Sequence, residues 1–219
     1  MIADADLTAL RVTEIFYSLQ GETRTVGCPT VFIRLTGCPL RCVYCDTAYA
    51  FTGGRKWSLT AILDEVARHA PRYVTVTGGE PLAQPECLAL LDALVERGYD
   101  VSLETSGALD VSGVHPGVSK VLDLKTPGSG EMARNNDANL HHLTASDQIK
   151  FVITGPDDYQ WAKTRLLDEA LHERCEVLFS PATGLQNPAE LADQILRDRL
   201  PVRFQVQLHK LLWGDCPGR

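Results

Sequence analysis

Three cysteines, Cys38, Cys42 and Cys45, stand at C-x3-C-x2-C spacing within Gly37-Cys38-Pro39-Leu40-Arg41-Cys42-Val43-Tyr44-Cys45-Asp46-Thr47. Glycine and proline open this stretch and short polar residues close it, so it reads as a loop. A loop can turn three thiolates inward around one inorganic centre. A structural zinc site wants four protein ligands, commonly as two C-x2-C pairs, and a four-iron cubane also normally takes four cysteines. Three cysteines with no fourth at cluster spacing point to a four-iron cluster with one iron left open for a small molecule. The other cysteines, Cys28, Cys87, Cys175 and Cys216, lack that spacing and read as small core or surface residues.

Other polar groups recur at strand ends. Gly78-Gly79-Glu80-Pro81 pairs two glycines, which permit a close backbone approach, with a proline that stiffens the turn. Glu104-Thr105-Ser106-Gly107 and Asp123-Leu124-Lys125 are two more such sets, and Arg34 is a lone guanidinium on an apolar run. Each has a plain reading too: a turn, a strand-end ion pair, or a surface residue on a strand face.

The elements that must position these groups follow from periodicity. Strands are expected at Val12 to Tyr17, Thr30 to Leu35, Tyr73 to Thr77, Asp100 to Glu104, Lys120 to Lys125, Gln148 to Ile153 and Glu176 to Phe179, with a last extended run from Val202 to Leu208. Helical spacing marks the stripe Ile62, Leu63, Val66, Ala67 and Ala70 after a Ser58 cap. It also marks Leu88 to Val95, Asp157 to Leu171 and Pro188 to Leu196. Alternating strands and helices mean parallel βαβ units. Gly107 to Ser119 and Thr126 to Asp147 are too rich in glycine, proline or asparagine for full crossover helices. The expected fold is therefore α/β, an incomplete (β/α)6-type partial barrel with some outer helices missing or shortened, and residues 1–219 form a single domain. The polar motifs then share the carboxyl edge of the strands, where ligands bind in such folds.

The chain has 219 residues, 44% of them hydrophobic, with a net charge of −7, which argues against a broad nucleic-acid-binding surface. No apolar run approaches the roughly 20 residues that cross a bilayer, so no membrane partner is expected. The acidic start, Met1 to Asp6, lacks the basic and apolar regions of a secretory leader. Crowded, odd-numbered cysteines fit reduced thiols better than disulfides, and a cytoplasmic location is expected.

With these motifs in place, the chain resembles the radical S-adenosylmethionine (SAM) superfamily. The resemblance rests on the C-x3-C-x2-C loop after the first barrel strand, on the aromatic Tyr44 before its third cysteine, and on Gly-Gly-Glu-Pro after the second barrel strand. It implies a 4Fe-4S cluster on Cys38, Cys42 and Cys45, with SAM chelating the open iron and yielding a 5′-deoxyadenosyl radical. Within the superfamily the chain is similar to the 7-carboxy-7-deazaguanine synthase family along nearly its whole length. That likeness is carried by Ile15-Phe16-Tyr17-Ser18-Leu19-Gln20-Gly21-Glu22, Val31-Phe32-Ile33-Arg34 and Gln205-Val206-Gln207-Leu208-His209-Lys210. It implies a ring contraction of 6-carboxy-5,6,7,8-tetrahydropterin with release of ammonia, in queuosine and related deazapurine biosynthesis.

The resemblance also implies roles. Leu19, Gln20, Gly21 and Glu22 form the pterin-recognising turn, Arg34 holds the substrate carboxylate, and Thr77 and His209 touch substrate. Thr47 is the Mg2+ ligand, its plain alternative being a turn or helix cap. SAM contacts fall on Tyr44, Cys45, Asp46, Gly79, Glu80, Ser106 and Ser180, and on Asp123, Leu124 and Lys125. The family usually shows Ser-Pro-Lys at this last site; the lysine is kept here and its partner changed. No catalytic acid or base is identified. The resemblance further implies a homodimer and a reducing flavoprotein or ferredoxin as partner.

Other readings remain open at this point. A glycyl-radical activase would use the same cluster on a protein substrate. A zinc-stabilised binding module or an iron–sulfur electron carrier would use only the cysteines, leaving Arg34, Thr47, Glu80 and His209 without a shared purpose. Trp57, Trp161 and Trp213 read as packing or interface residues.

Overall fold

The computed structural model describes residues 9–214 together with 216 and 218; the acidic start, Met1 to Asp6, lies outside them. In chain order the elements are β1 (Ala9–Leu19), β2 (Pro29–Leu35), β3 (Arg55–Ser58), α1 (Leu59–Arg68), β4 (Tyr73–Gly78), α2 (Cys87–Glu96), β5 (Asp100–Thr105) and β6 (Ser119–Asp123). They continue with β7 (Gln148–Ile153), α3 (Pro156–Asp168), α4 (Leu171–Arg174), β8 (Glu176–Pro181), α5 (Pro188–Asp198), β9 (Arg203–Phe204) and α6 (Leu208–Trp213). Among the described residues, nine strands make one open sheet in the order β3-β1-β2-β4-β5-β6-β7-β8-β9.

From β2 onward the neighbours are parallel, while β1 runs antiparallel to both β2 and β3. The six expected barrel strands are β2, β4, β5, β6, β7 and β8, and the sheet curls without closing on itself. Helices cover β4, β5, β8 and β9 on their approach, whereas β5 to β6 crosses without a helix and β6 to β7 carries only short 3-10 turns. The partial barrel with missing outer helices is thus the one expected.

Strand alternation divides the sheet into two chemically distinct faces. Ile33, Val76, Leu103, Leu122, Phe151 and Phe179 are fully buried and point at the helices. In register, Ile33 opposes Val76 and Val76 opposes Leu103. Phe151 and Phe179 meet edge-on at 5.6 Å, and Trp161 packs on Phe151 at 6.0 Å, which bears out its packing role. The opposite, concave face carries Phe32, Arg34, Thr77, Glu104, Asp123, Lys150 and Ser180. That face is the interior of the half-barrel, and it is polar. Among the described residues no helix is long and apolar enough to cross a membrane.

Several boundaries differ from expectation. β1 extends to eleven residues, because its first half pairs with β3, a four-residue strand of sequence Arg-Lys-Trp-Ser that shows no alternation to read. The expected helix from Asp157 to Leu171 breaks at Ala170, which takes a left-handed conformation (φ 49°). The extended run from Val202 to Leu208 forms only a two-residue strand, and Leu208 begins α6. β6 stops at Asp123, so Leu124 and Lys125 lie past the strand.

Candidate active site

At the carboxyl edge of the parallel strands lies a cleft of about 490 Å³, lined on one side by the cysteine loop. The loop is held by its own chain. Gly37 N–H donates to Ala50 O at 2.8 Å, Val43 N–H to Ser129 O at 3.0 Å, and Arg41 Nη1 to Cys38 O at 2.8 Å. The Arg41 guanidinium also stacks over Phe51 at 4.2 Å. All three cysteines are free thiols, half-buried at the cleft wall. Burial pushes the Cys38 and Cys42 thiols up, opposed at Cys38 by a hydrogen bond from Leu40 N–H (3.4 Å) and at Cys42 by the Lys125 ammonium.

Among the described residues no three His, Cys, Asp or Glu side chains converge tightly enough for a single metal ion. Three unpaired thiols spread along one loop and facing one cavity are the donor set of a larger, thiolate-ligated group, and the residues present fit a 4Fe-4S cluster.

The Gly78-Gly79-Glu80-Pro81 turn is stapled beneath this loop. Gly79 N–H donates to Leu35 O at 3.1 Å and Glu80 N–H to Gly37 O at 2.7 Å. A Cβ on Gly79 would stand 2.1 Å from Gly37 O and 2.9 Å from Cys38 Cβ, and Gly78 sits at φ +143° with Leu35 O 2.2 Å from its hypothetical Cβ. Gly79 is therefore required by the cysteine loop itself and Gly78 by the end of β2, closer constraints than the approach of a ligand.

Glu80 lies behind the cleft wall. It is fully buried and does not line the cleft. Its carboxylate accepts from Leu82 N–H (3.1 Å), Thr105 Oγ1 (2.8 Å) and both Ser106 N–H (2.8 Å) and Ser106 Oγ. A carboxylate so engaged orients Ser106, which does line the cleft. The Leu124 side chain is fully buried in the core, because it falls on the outer register of the β6 extension, and only its backbone remains available to a ligand. Tyr44, Cys45, Asp46, Gly79, Asp123, Lys125 and Ser180 all border the cleft as expected.

Asp123 and Lys125 form the strand-end ion pair, Nζ to Oδ2 3.0 Å, and Lys150 reaches the same oxygen at 3.5 Å while binding Glu22 Oε2 at 2.7 Å. Burial would raise the Asp123 carboxyl, but the two ammonium groups outweigh it and hold it below the usual range. Burial likewise opposes the charge on Lys125 and Lys150, and their carboxylate partners drive both above the ordinary lysine value. The Lys125 ammonium lies over the Tyr44 ring at 5.7 Å. Asp123 Oδ1 and Tyr44 Oη are buried with no hydrogen-bond partner on the protein, and both residues line the cleft, where a bound group can supply one.

At the other end of the cleft, the turn after β1 meets the C-terminal segment. Leu208 N–H donates to Gly21 O at 2.9 Å, and the Gln205 side chain pairs with both Thr23 N–H (2.8 Å) and Thr23 O (3.1 Å). The His209 ring packs so closely on Gly21 that a Cβ there would meet Nδ1 at 2.2 Å. Burial lowers the His209 pKa, with Glu22 and Asp46 opposing and Lys210 and Arg34 assisting. Gln20 is spent internally: its amide donates to Thr75 Oγ1 (3.1 Å) and Glu104 Oε1 (3.4 Å), so it braces the turn.

Arg34 lines the cleft beneath the Phe16 and Tyr49 rings, and its Nε is committed to Glu14 Oε1 at 2.7 Å. It is therefore an oriented, half-buried guanidinium and not a surface residue. Thr47 precedes a 3-10 turn without capping it; its hydroxyl donates to Asp46 Oδ1 at 2.8 Å. The Lys210 ammonium, 3.0 Å from Asp46 Oδ2, overcomes burial and keeps that carboxyl well below the usual range, with hydrogen bonds from Thr47 and Gln207 assisting.

Sequence reasoning named Glu104 within a strand-end motif but gave it no role, and it missed Lys150; both lie on the concave face. Glu104 accepts from Thr77 Oγ1 at 2.9 Å, and burial pushes its carboxyl up against the pull of Lys150. The signal was available: each is a charged residue at the register opposite a core position, between Leu103 and Thr105 or between Ile149 and Phe151.

Comparison with known proteins places this geometry. The sequence model of the radical SAM superfamily matches residues 32–123, which span β2 to β6 and so contain the cysteine loop and the Gly-Gly-Glu-Pro turn. A 7-carboxy-7-deazaguanine synthase from Chlorobaculum tepidum is 42% identical over 214 residues, covering 95% of this chain and 97% of that protein. A 7-carboxy-7-deazaguanine synthase from Koribacter versatilis is 42% identical over 219 residues, covering 93% and 97%. The crystal structure of QueE from Escherichia coli superposes with a TM-score of 0.73 at 22% identity, covering 95% of this chain and all of that one, and shares the fold.

Proposed function

The chain belongs to the 7-carboxy-7-deazaguanine synthase family of radical SAM enzymes, and from that premise we propose how its cleft is used. It is a lyase that contracts 6-carboxy-5,6,7,8-tetrahydropterin to 7-carboxy-7-deazaguanine with loss of ammonia, using a 4Fe-4S cluster and SAM. With that membership, the activase and the zinc-module readings fall away. The cluster and SAM together supply a one-electron route to a carbon-centred radical able to take a hydrogen atom from the substrate.

Cys38, Cys42 and Cys45 hold the cluster. SAM lies along Gly79, Ser106 and the Asp123–Lys125 pair, where the unpartnered Asp123 Oδ1 accepts from its donor groups; Tyr44, Asp46 and Ser180 complete that end. Glu80 acts from behind, by fixing Ser106. The pterin sits between the cysteine loop and the paired N- and C-terminal segments. Its donor-rich aminopyrimidinone edge faces Glu22 and the backbone of Leu19 and Gly21, with His209 and Thr77 alongside. Because Glu14 occupies Arg34 Nε, a substrate carboxylate takes the two terminal nitrogens as a bidentate pair. Thr47, backed by Asp46, offers its hydroxyl to Mg2+, a cation that retains several waters and needs few protein ligands. Glu104, whose carboxyl burial pushes up, borders the cleft beside Thr77 and is the group we assign to proton exchange at the cleft floor. Phe16 and Phe32, stacked at 4.9 Å, help exclude water from that floor.

The observation that carries this assignment is the convergence of Gly21–Glu22 and Leu208–His209 opposite the cysteine loop on one cleft. A homodimer, a cytoplasmic location and a small reducing flavoprotein or ferredoxin as electron source complete the reading. The test is anaerobic incubation of the cluster-loaded protein with SAM, reductant and 6-carboxytetrahydropterin. Formation of the deazapurine and ammonia supports the reading, and SAM cleavage without either product refutes it.

A further inference from the structure

Gln207 has no role in the assignment above, yet its carboxamide reaches separate parts of the cleft. Nε2 donates to Glu22 Oε1 at 2.8 Å and to Asp46 Oδ2 at 3.1 Å, and Oε1 accepts from Thr183 Oγ1 at 3.0 Å. Carboxylates only accept, so chemistry dictates that the amide turns its two N–H bonds toward the acids. The backbone aims it there. Gln205 is pinned to Thr23 on one side, Leu208 N–H to Gly21 O on the other, and Gln207 is extended between them (φ −77°, ψ 97°).

We propose that Gln207 is a positioning residue for substrate: it bridges the carboxylate of the pterin-recognising turn to that of the cysteine loop and so sets the width of the substrate pocket. The inference rests on the functional reading above. The remaining charges around the bridge explain why a neutral donor stands there. Glu22 Oε2 is already bound by Lys150 at 2.7 Å, and Asp46 Oδ2 by Lys210 at 3.0 Å, with His209 packed beside them on Gly21. A third cation would neutralise the acceptor that the pterin edge needs. A third carboxylate would repel both acids. An amide leaves Glu22 an acceptor and fixed, and ties its position to Asp46 and hence to Thr47.

The test compares cluster-loaded wild type, Gln207→Met and Gln207→Glu, after iron content shows equal loading. Equilibrium binding of 6-carboxytetrahydropterin and of SAM is measured anaerobically without reductant, and KM and kcat with it. Loss of a hydrogen bond to a charged acceptor is expected to raise the pterin Kd and KM by about tenfold in Gln207→Met. The pterin Kd should rise at least about fivefold more than the SAM Kd and kcat should stay within about threefold, because the bridge fixes Glu22 at the pterin end and reaches the SAM end only through Asp46. Gln207→Glu should be worse than Gln207→Met, since it places three carboxylates together. A residue that merely packed the C-terminal segment would give equal defects in the two variants and weaken SAM and pterin alike. That result, or an unchanged pterin Kd in both variants, overturns the inference. Wild-type protein that binds SAM but neither binds nor turns over the pterin overturns this inference and the functional reading together.

Discussion

Gly79→Ala adds one methyl group where the chain has no room. The new Cβ would stand 2.1 Å from Gly37 O, 2.5 Å from Gly37 C and 2.9 Å from Cys38 Cβ. Two of these atoms are backbone and cannot rotate aside, so relief requires the cysteine loop or the turn to move. That movement strains the bonds joining them, Glu80 N–H to Gly37 O at 2.7 Å and Gly79 N–H to Leu35 O at 3.1 Å. Overpacking of this kind costs about 1–3 kcal/mol, and the rigid contacts place it at the upper end. For a domain of this size, about 3 kcal/mol corresponds to a fall in Tm of roughly 6–12 °C. The more telling consequence is local. Cys38 belongs to the displaced loop, so iron and sulfide per chain after anaerobic reconstitution should fall well below wild type while far-ultraviolet circular dichroism stays native. Wild-type cluster content and wild-type SAM affinity in Gly79→Ala would refute the reasoning that Gly79 serves the cysteine loop.

Other perturbations follow from the same geometry. Lys150→Met removes the ammonium between Glu22 and Asp123 (2.7 and 3.5 Å), two partly buried carboxylates that keep Gln207 and Lys125 as partners; losing charged contacts of this kind costs about 1–3 kcal/mol, to be read by urea denaturation. Glu104 has a carboxyl raised by burial, so the folded state takes up a proton more readily than the unfolded chain, and its contribution is present below the ordinary value of 4.5 and lost as pH rises through the folded value. Glu104→Gln should therefore become relatively more stable than wild type as pH increases through that window, measured as the difference in Tm across a pH series, and it should lose turnover at a step after SAM cleavage. Thr47→Ala should shift the Mg2+ concentration required for half-maximal turnover upward with cluster content unchanged, and an unaltered Mg2+ titration would remove Thr47 from that role.

The parallel strands were legible because each is an apolar run ending in glycine or a small polar residue, and the cysteine loop because its spacing is chemically restrictive. The missing crossover helices were legible too, from the glycine, proline and asparagine content of residues 107–119 and 126–147. What escaped notice has physical reasons. Arg-Lys-Trp-Ser of β3 has no periodic signal and is a strand only because β1 offers an edge. Leu208–Trp213 is one short helix set by contacts to a turn far away in sequence. Glu104 and Lys150 alternate with core positions in β5 and β7, and only the register of the folded sheet reveals that they face the interior of a polar half-barrel. The direction of the Glu80 carboxylate, turned onto Thr105 and Ser106, was not legible either, since a motif gives a residue's neighbours in sequence and not where its side chain points.

The central claim is that one cleft holds SAM at its Asp123–Lys125 end and the pterin at its Glu22–His209 end. A crystal structure of the cluster-loaded protein with SAM and 6-carboxytetrahydropterin tests it most directly. The account predicts the aminopyrimidinone edge within hydrogen-bond distance of Glu22, the substrate carboxylate on the terminal nitrogens of Arg34, and SAM against Asp123 Oδ1. A pterin bound away from the Gly21–His209 junction, or a SAM that leaves Asp123 Oδ1 without a partner, would contradict it.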